Sequence, residues 1–253
     1  MSETTIQELP EDCLAHVIAF TTPRNACHSS LASTMFHNSA KSDFVWDKFL
    51  PRDYCDIMSK LVSPMEFSSK KDLFFKLSTP LLIDGGSKTF AIDKVTNTKC
   101  YMLSARELSI AWASNPHCWS WKPLLQSRFS EGVELIMISW LEIYGKINTR
   151  MLTKNTNYGA YLVVKLANRA FGLDSLPSEV SLEVGDYKST RKVYLRSEER
   201  VLHMREDGWL EVELGEFYCD DKDEEVKMSL KEVEGVHLKG GLLVEGIELR
   251  PKQ

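Results

Sequence analysis

The sequence predicts an α+β chain of two domains, a small N-terminal all-α domain followed by an all-β antiparallel sandwich that is jelly-roll-like. Apolar residues recur at spacings of three and four in the N-terminal part, as in amphipathic helices. From Lys88 onward they alternate with polar residues in short runs separated by polar turns, which is typical of sandwiches and barrels. The 253 residues suffice for two domains, and the change of pattern places the boundary near residues 78–87.

Composition argues against several classes of protein. The hydrophobic fraction of 43% is that of a globular chain, and a net charge of −5 gives no reason to expect nucleic acid or a membrane as partner. Met1–Gln7 lacks the basic start and apolar run of a signal peptide. The six cysteines form no C-x-x-C pair. We therefore expect reduced thiols, a cytoplasmic or nuclear location, and neither metal nor other cofactor.

Three short helices are predicted within residues 6–50. The first begins at Leu9–Asp12, where a proline is tolerated and two acids favour the positive end of the helix dipole. The second begins at Thr22-Pro23 and carries Cys27, Leu31 and Met35 at steps of four. The third lies within residues 42–50. The apolar residues at helical spacing are Leu14, Val17, Ile18, Cys27, Leu31 and Met35. Such short helices bury little by themselves, so we expect part of this apolar surface to meet a partner.

Residues Ile6 to about Leu50 resemble an F-box. The features in order are Leu-Pro near the start, an amphipathic helix, a Thr-Pro-Arg turn, a helix of small residues and a late Val-Trp-x-x-Phe. In that family the motif docks on the Skp-type adaptor of SCF ubiquitin ligases, and through it on the cullin. The resemblance implies that the following residues divide between that interface and the local core: Leu9, Pro10, Leu14, Val17, Ile18, Leu31, Trp46 and Phe49. Periodicity alone favours an ordinary three-helix cap packed on the rest of the chain.

Residues 51–87 read as a helical connector between an F-box at residues 1–50 and a sandwich domain at residues 88–253. Ser68-Ser69 predicts the start of a helix over Lys70–Leu77, which Pro80 ends. Ser68-x-x-Lys71 has the spacing of a serine nucleophile and its lysine, but a capped helix is the favoured interpretation.

The strand pattern begins with a hairpin from Phe90 to Leu103. Residues 135–144 are apolar on both faces, which predicts one continuous strand in the centre of a sheet, with Trp140 in the core. Further strands are predicted at residues 158–166, 180–184, 193–195, 208–214, 226–233 and 242–249.

No stretch of the sequence carries a catalytic motif such as H-E-x-x-H or G-x-S-x-G. Glu211 and Glu213 share a strand face and could form a glycosidase pair, although a solvated face is the favoured interpretation. A hydrolase is therefore the weakest hypothesis, and we name no catalytic residue.

The aromatic segment from Trp112 to Trp121 is the most informative stretch. Indole rings can cover the apolar face of a sugar while amides and carboxylates bond to its hydroxyl rim. Trp112, Trp119 and Trp121 lie beside Asn115 and so have the parts of a sugar site. Composition alone favours core packing, because tryptophans are highly buried on average.

Residues Cys100–Gln253 resemble the phloem-lectin (Nictaba-type, phloem protein 2) domain of plants. The matching motifs are LSARELSIAWASNPHCWSWK, WLEIYGKINTRMLT, TNYGAYLVVKL, DGWLEVELGEF, EVKMSLKEV and GLLVEGIELRP. That family folds as a β-sandwich and includes binders of GlcNAc-containing glycans. By position, the resemblance implies a carbohydrate site of Trp112, Trp119, Glu225 and Glu232. It leaves Trp121, Trp140 and Trp209 to the core or scaffold.

One feature of that implied site conflicts with strand geometry. Glu225 and Glu232 lie seven residues apart, so an unbroken strand would point them to opposite faces. Both can reach one ligand only if Glu225 belongs to a loop.

Together the resemblances imply a non-catalytic substrate receptor of an SCF ubiquitin ligase that binds a (glyco)protein client, through GlcNAc-containing glycans. Two alternatives stay open at this point. One is a cytoplasmic or nuclear lectin in stress or defence without ligase function. The other is a protein-binding sandwich with no sugar site.

Overall fold

The computed structural model describes residues 9–124, 126–196 and 202–252. Ile6, where the F-box resemblance begins, lies outside them, as do Met1–Gln7 as a whole.

The N-terminal part is helical, as predicted, with six α-helices among the described residues. They are α1 (Glu11–Ala19), α2 (Pro23–Ser29), α3 (Thr34–Lys41), α4 (Asp43–Phe49), α5 (Tyr54–Ser59) and α6 (Lys70–Leu77). Two predicted starts are confirmed by cap hydrogen bonds, because the side chains of Thr22 and Ser69 each accept from a backbone N–H three residues later. None of the described helices is long and apolar enough to cross a membrane.

The prediction of one helix through Cys27, Leu31 and Met35 is wrong. Helix α2 ends at Ser29, and Ser33 starts α3 by accepting a hydrogen bond from the N–H of Phe36. The spacing of four crosses this break by coincidence, and a serine that can cap a new helix was the stronger local signal.

Trp46 is the centre of the helical core. Its ring is fully buried, and its indole N–H donates to the Ala40 carbonyl at 2.7 Å. The ring packs against Phe74 and Phe75 of α6 at centroid distances of 5.3 and 5.4 Å. The connector helix therefore completes the core of the first four helices.

Fourteen strands follow among the described residues. They are β1 (Leu81–Ile83), β2 (Lys88–Ile92), β3 (Lys99–Ser104), β4 (Ser109–Ile110), β5 (Trp119–Lys122), β6 (Gly132–Leu135), β7 (Leu141–Asn148), β8 (Thr156–Phe171), β9 (Ser178–Val184), β10 (Tyr187–Val193), β11 (His203–Met204), β12 (Leu210–Cys219), β13 (Glu225–Glu232) and β14 (Gly240–Pro251). Strand β1 lies inside the segment that the sequence assigns to the connector.

The strands form two antiparallel sheets that face each other, as the predicted sandwich requires. The larger sheet has the order β1-β2-β3-β14-β8-β12-β11, with β6 also on β14 and β5 on β6. The smaller has the order β10-β9-β13-β7-β4. They approach closely at Gly145 of β7, where an added Cβ would lie 2.7 Å from the Cδ1 of Ile247 of β14. One apolar core runs from the helices through both sheets.

The prediction of a continuous strand over residues 135–144 is wrong, and so is the burial of Trp140. Strand β6 belongs to the larger sheet and β7 to the smaller, so residues 136–140 cross between the sheets. Trp140 lies in this crossing and is 49% exposed. Apolarity on both faces indicated burial between sheets, but alternation cannot reveal where a chain changes sheet.

We predict that Trp46→Ala destabilises the protein by about 3–5 kcal/mol, because it leaves a cavity between α4 and α6 and frees the Ala40 carbonyl. Urea denaturation measures the loss. Phe20→Ala is the control, since Phe20 is 80% exposed and should change stability by no more than about 0.5 kcal/mol. Equal effects of the two substitutions would contradict the central role of Trp46.

All six cysteines are free thiols, and they differ in reactivity. Burial raises the pKa of Cys100 to about 12, and it also raises the pKa of Cys219. Because the thiolate is the reactive form, a raised pKa slows the reaction of both groups with alkylating reagents. We expect iodoacetamide at about pH 8.5 to label the exposed Cys13 and Cys55 first and to spare Cys100 and Cys219, as peptide mass spectrometry would report.

Candidate ligand-binding site

Trp112 is presented to solvent by a strained loop. It lies in the connection from β4 to β5, residues 111–118, with 62% of its surface exposed. Its φ angle of +63° falls in the left-handed region, which a bulky side chain rarely adopts. Such a conformation costs about 1–3 kcal/mol and persists only where the surroundings enforce it.

Two other tryptophans enforce it. The indole N–H of Trp119 donates to the Ala111 carbonyl at 2.8 Å, and that of Trp121 donates to the Ala113 carbonyl at 3.0 Å. These carbonyls flank Trp112 on both sides. The guanidinium of Arg106 lies 3.6 Å from the centre of the Trp121 ring and covers its outer side.

Trp119 therefore does not fit the ligand-stacking position that the family resemblance implies. It is only 2% exposed and belongs to the apolar core, at the edge of a groove of about 600 Å³ that Pro116 and Trp121 also line. Its indole plane is covered by the core, so in this structure it holds the loop and offers no open face to a sugar. Trp209 is buried as predicted, and its N–H donates to the Gln126 carbonyl at 3.1 Å.

Trp140 and Glu142 lie at the same end of the sandwich as Trp112. The N–H of Ala111 donates to the Glu142 carbonyl at 3.0 Å, which joins the two segments. The indole N–H of Trp140 donates to Glu142 Oε2 at 3.2 Å, and Lys231 Nζ lies 3.1 Å from Glu142 Oε1. The hydrogen bond from Trp140, and then the lysine, lower the pKa of Glu142 below its usual 4.5.

Glu232 is buried and already engaged inside the protein. Its carboxylate forms an ion pair with Lys239, which is 1% exposed, and accepts from the N–H of Gly235 at 3.1 Å. Lys239 Nζ also donates to the carbonyl of Ser139, next to Trp140. Glu232 thus fixes the Trp140 segment through Lys239, and its oxygens do not face the solvent that a ligand would occupy.

Glu225 lies at the other end of β13, far from the tryptophans. It is exposed and its carboxylate is 3.3 Å from Lys146 Nζ. Because it is the first residue of the strand and not part of a loop, Glu225 and Glu232 point to opposite faces. A strand rise of about 3.3 Å per residue separates them by roughly 23 Å. The structure therefore does not bring the two implied glutamates together.

A second cavity, of about 760 Å³, lies near Glu225. Its walls include the exposed rings of Tyr187 and Tyr218, together with Asp186, Glu216 and Glu224. It is larger than the groove at the tryptophans. The tryptophan end differs from this cavity in carrying two exposed indoles beside the Glu142 carboxylate, side chains of the kind that can bind a sugar.

Glu211 and Glu213 do not form the solvated face that the sequence predicts. Arg250 binds the buried Glu211 carboxylate with both guanidinium nitrogens, at 2.6 and 2.8 Å. Glu213 bonds to Lys252 at 3.1 Å. The arginine of β14 and the acid of β12 form this ion pair across β8, which lies between them in the sheet, and strand alternation alone does not reveal such a pairing. No group of three or more metal-ligating side chains occurs in the described part of the chain.

The residues that the resemblance assigns to adaptor binding separate into two groups. Leu14, Ile18, Trp46 and Phe49 are buried in the helical core. Pro10, Val17 and Leu31 are exposed, and Leu9 is half-buried. Burial decides only which side chains are free in the isolated chain, so adaptor binding itself stays a prediction.

Sequence reasoning missed two exposed aromatic residues on the helices, Phe20 and Phe44. The ring of His16 contacts both, at centroid distances of 5.2 and 5.6 Å. Phe20 directly follows the end of α1 and lies three residues after Val17. Residues three apart lie on the same side of a helix, so this spacing could have identified Phe20.

Comparison with known proteins agrees with this two-part architecture. The Phloem protein 2 family matches residues 98–251, from the start of β3 to the end of β14. The chain is 46% identical to F-box protein PP2-B15 of Arabidopsis thaliana, over 96% of each chain. It is 42% identical to F-box protein VBF of the same plant, over 96% of this chain and 99% of the relative. A third relative from that plant, Putative F-box protein PP2-B12, is 44% identical over 97% of this chain and 98% of the relative.

The chain therefore belongs to the family of plant F-box proteins with a C-terminal phloem protein 2 domain. The match covers the sandwich and the helices together, so both sequence resemblances are confirmed.

The two glutamates of β13 provide a matched test of these assignments. We predict that Glu232→Ala costs about 3–5 kcal/mol of stability, because it leaves the Lys239 charge buried without its partner. Glu225→Ala should change stability by no more than about 0.5 kcal/mol, because its ion pair is exposed. Urea denaturation of the two variants distinguishes them, and a stable Glu232→Ala protein would contradict the bracing role.

Proposed function

We propose that this protein is the substrate receptor of an SCF-type ubiquitin ligase. Its helices would bind a Skp-type adaptor, and through it the cullin, while the sandwich binds a (glyco)protein client. The observation that carries the first half is the apolar surface left open on the helices by Val17, Phe20, Leu31 and Phe44. Large apolar side chains exposed together on so small a helical unit are typical of a protein interface. The F-box names of the relatives support the same partner.

In this role the chain performs no chemistry itself. It holds the client near a ubiquitin-loaded partner, and the gain in rate comes from proximity and orientation. We propose that it acts in the cytoplasm or the nucleus, and the six free thiols fit those reducing compartments.

For the client we propose recognition through GlcNAc-containing glycans at the Trp112 end of the sandwich. Support comes from the exposed indole of Trp112, from the two hydrogen bonds that hold its loop in a strained conformation, and from family membership. A pyranose ring has an apolar C–H face that can lie on the indole, and hydroxyl groups that reach polar neighbours.

A second candidate is a sandwich that binds a protein client without any sugar. It is favoured by further exposed apolar side chains near Trp140, namely Met137, Val236 and Leu238. If the chain binds its client equally well when the client carries no glycan, this candidate is favoured over glycan recognition. A lectin without ligase function, the other alternative, would bind glycans and form no complex with an adaptor.

The adaptor surface is tested by Val17→Asp combined with Leu31→Asp. We expect affinity for a purified Skp-type adaptor to fall more than tenfold, because the two charges would be buried in the interface. Isothermal titration calorimetry with the full chain measures it. Substitution of Leu14 is unsuitable, because Leu14 is fully buried and a charge there would unfold the helices.

Val95→Asp is the matched control for this experiment. Val95 has an exposure similar to that of Val17, but it lies in the turn between β2 and β3. It should bind the adaptor like the unaltered chain. Failure of the folded, unaltered chain to bind any Skp-type adaptor would refute the receptor proposal.

The glycan site is tested by Trp112→Ala. We expect affinity for triacetylchitotriose to fall about tenfold, the loss of roughly one stacking contact. Tyr218→Ala is the control, because Tyr218 is an equally exposed aromatic residue in the cavity at the opposite end. If Tyr218→Ala abolishes binding and Trp112→Ala does not, the sugar site lies in that cavity instead.

A further inference from the structure

Three of the crossings between the two sheets lie together at one end of the sandwich. The crossings are residues 111–118 from β4 to β5, residues 136–140 from β6 to β7, and residues 233–239 from β13 to β14. Trp112 lies in the first crossing and Trp140 in the second. The only other partly exposed tryptophan among the described residues is Trp121, and Arg106 covers its ring.

Backbone hydrogen bonds join these crossings into one frame. The N–H of Ile136 donates to the Cys118 carbonyl at 2.8 Å, and Ile138 and Lys239 exchange two bonds at 3.0 and 2.9 Å. The Ala111–Glu142 bond joins the segments that carry the two tryptophans. Trp112 is one residue from that bond and Trp140 is two, so their Cα atoms lie within roughly 16 Å of each other. The two exposed indoles are therefore carried by neighbouring, hydrogen-bonded segments at one end of the sandwich.

Trp140 is about half exposed, and its polar neighbours bond to its indole N–H and not to the ring. Its N–H points to Glu142 Oε2, and neither Trp112 nor Trp140 stacks on another aromatic ring within the described residues. Each oxygen of Glu142 has one donor, the indole or Lys231, so each retains a lone pair for a further hydrogen bond. Lys231 is itself partly exposed and can donate.

We propose that Trp140 and Glu142 contact the ligand directly, so that the glycan lies across Trp112 and Trp140 with a hydroxyl group bonded to the Glu142 carboxylate. This inference rests on the proposed glycan function and assigns its contact residues. The parts match the ligand, because the two indoles offer apolar planes and Glu142 with Lys231 offers an acceptor and a donor at their edge. Glu232, which is buried beneath this surface, has no comparable access.

The test is titration of the full chain with triacetylchitotriose. We expect Trp140→Ala to weaken binding about tenfold, as Trp112→Ala does, and Trp140→Tyr to retain most of the affinity because it keeps an aromatic plane. Glu142→Gln should weaken binding at least threefold, since it replaces an ionised acceptor by a neutral group. Glu183→Gln is the matched control, as another glutamate paired with an exposed lysine, and should bind within twofold of the unaltered chain.

The outcomes separate this inference from the proposed function. If Trp112→Ala loses binding while Trp140→Ala and Glu142→Gln keep it, the inference is overturned and the glycan function stands. If the unaltered chain binds no chitotriose, both fail.

Urea denaturation of each variant checks its fold. If Trp140→Ala proves unstable, Trp140→Tyr and Trp140→Phe replace it, and affinity that falls from Trp through Tyr to Phe still supports direct stacking. Equal affinity of all three with an unaffected Glu142→Gln refutes it.

Discussion

The end of the sandwich is governed by one constraint, the need to satisfy backbone groups where the chain leaves one sheet for the other. Residues in a crossing lose the ladder bonds that neighbouring strands supply. Here side chains replace them. Lys239, buried and paired with Glu232, donates to the Ser139 carbonyl, and the indoles of Trp119 and Trp121 donate to carbonyls on either side of Trp112. The cost of burying the Lys239 ammonium group is offset because it has a carboxylate and a carbonyl as partners.

These bonds explain why two of the six tryptophans can remain exposed. An indole at the surface forgoes hydrophobic stabilisation and would ordinarily turn inward. Trp112 cannot do so, because the carbonyls before and after it are already held. Trp140 adjoins Ser139, which Lys239 holds in the same way. The buried residues that the family resemblance implies as ligand contacts, Trp119 and Glu232, thus act on exposed neighbours and determine which faces stay open.

Local signals in the sequence predicted the elements that local physics controls. The caps at Thr22 and Ser69, the helix over Lys70–Leu77 and the hairpin from Phe90 were all recognisable, because each depends on residues a few positions apart. The two-part architecture followed from the change of hydrophobic period. What failed were the features that depend on the partner across space, including the break at residues 136–140 and the pairing of Glu211 with Arg250.

The candidate site shows the same division. The family resemblance implied Trp112 as a ligand contact, and the structure presents it to solvent. The sequence could not show that Trp119 faces inward. It is the first residue of β5 and follows an irregular crossing, so no alternation of apolar and polar residues leads up to it. Nor could it show that Trp140 leaves the core, because its apolar neighbours on both sides are also typical of a central strand.

The core that runs unbroken from α1 to β14 has a mechanical consequence. Helix α6 packs on Trp46, strand β1 pairs with β2, and Lys99 of β3 reaches Asp53 before α5 at 2.7 Å. The two exposed surfaces are thus joined by a stiff body and not by a tether. For the proposed receptor, the reach from adaptor to client would be set by the geometry of this body, and not by the statistics of a flexible linker. Lysines of a bound client outside that fixed arc would then remain unmodified, however tightly the client binds.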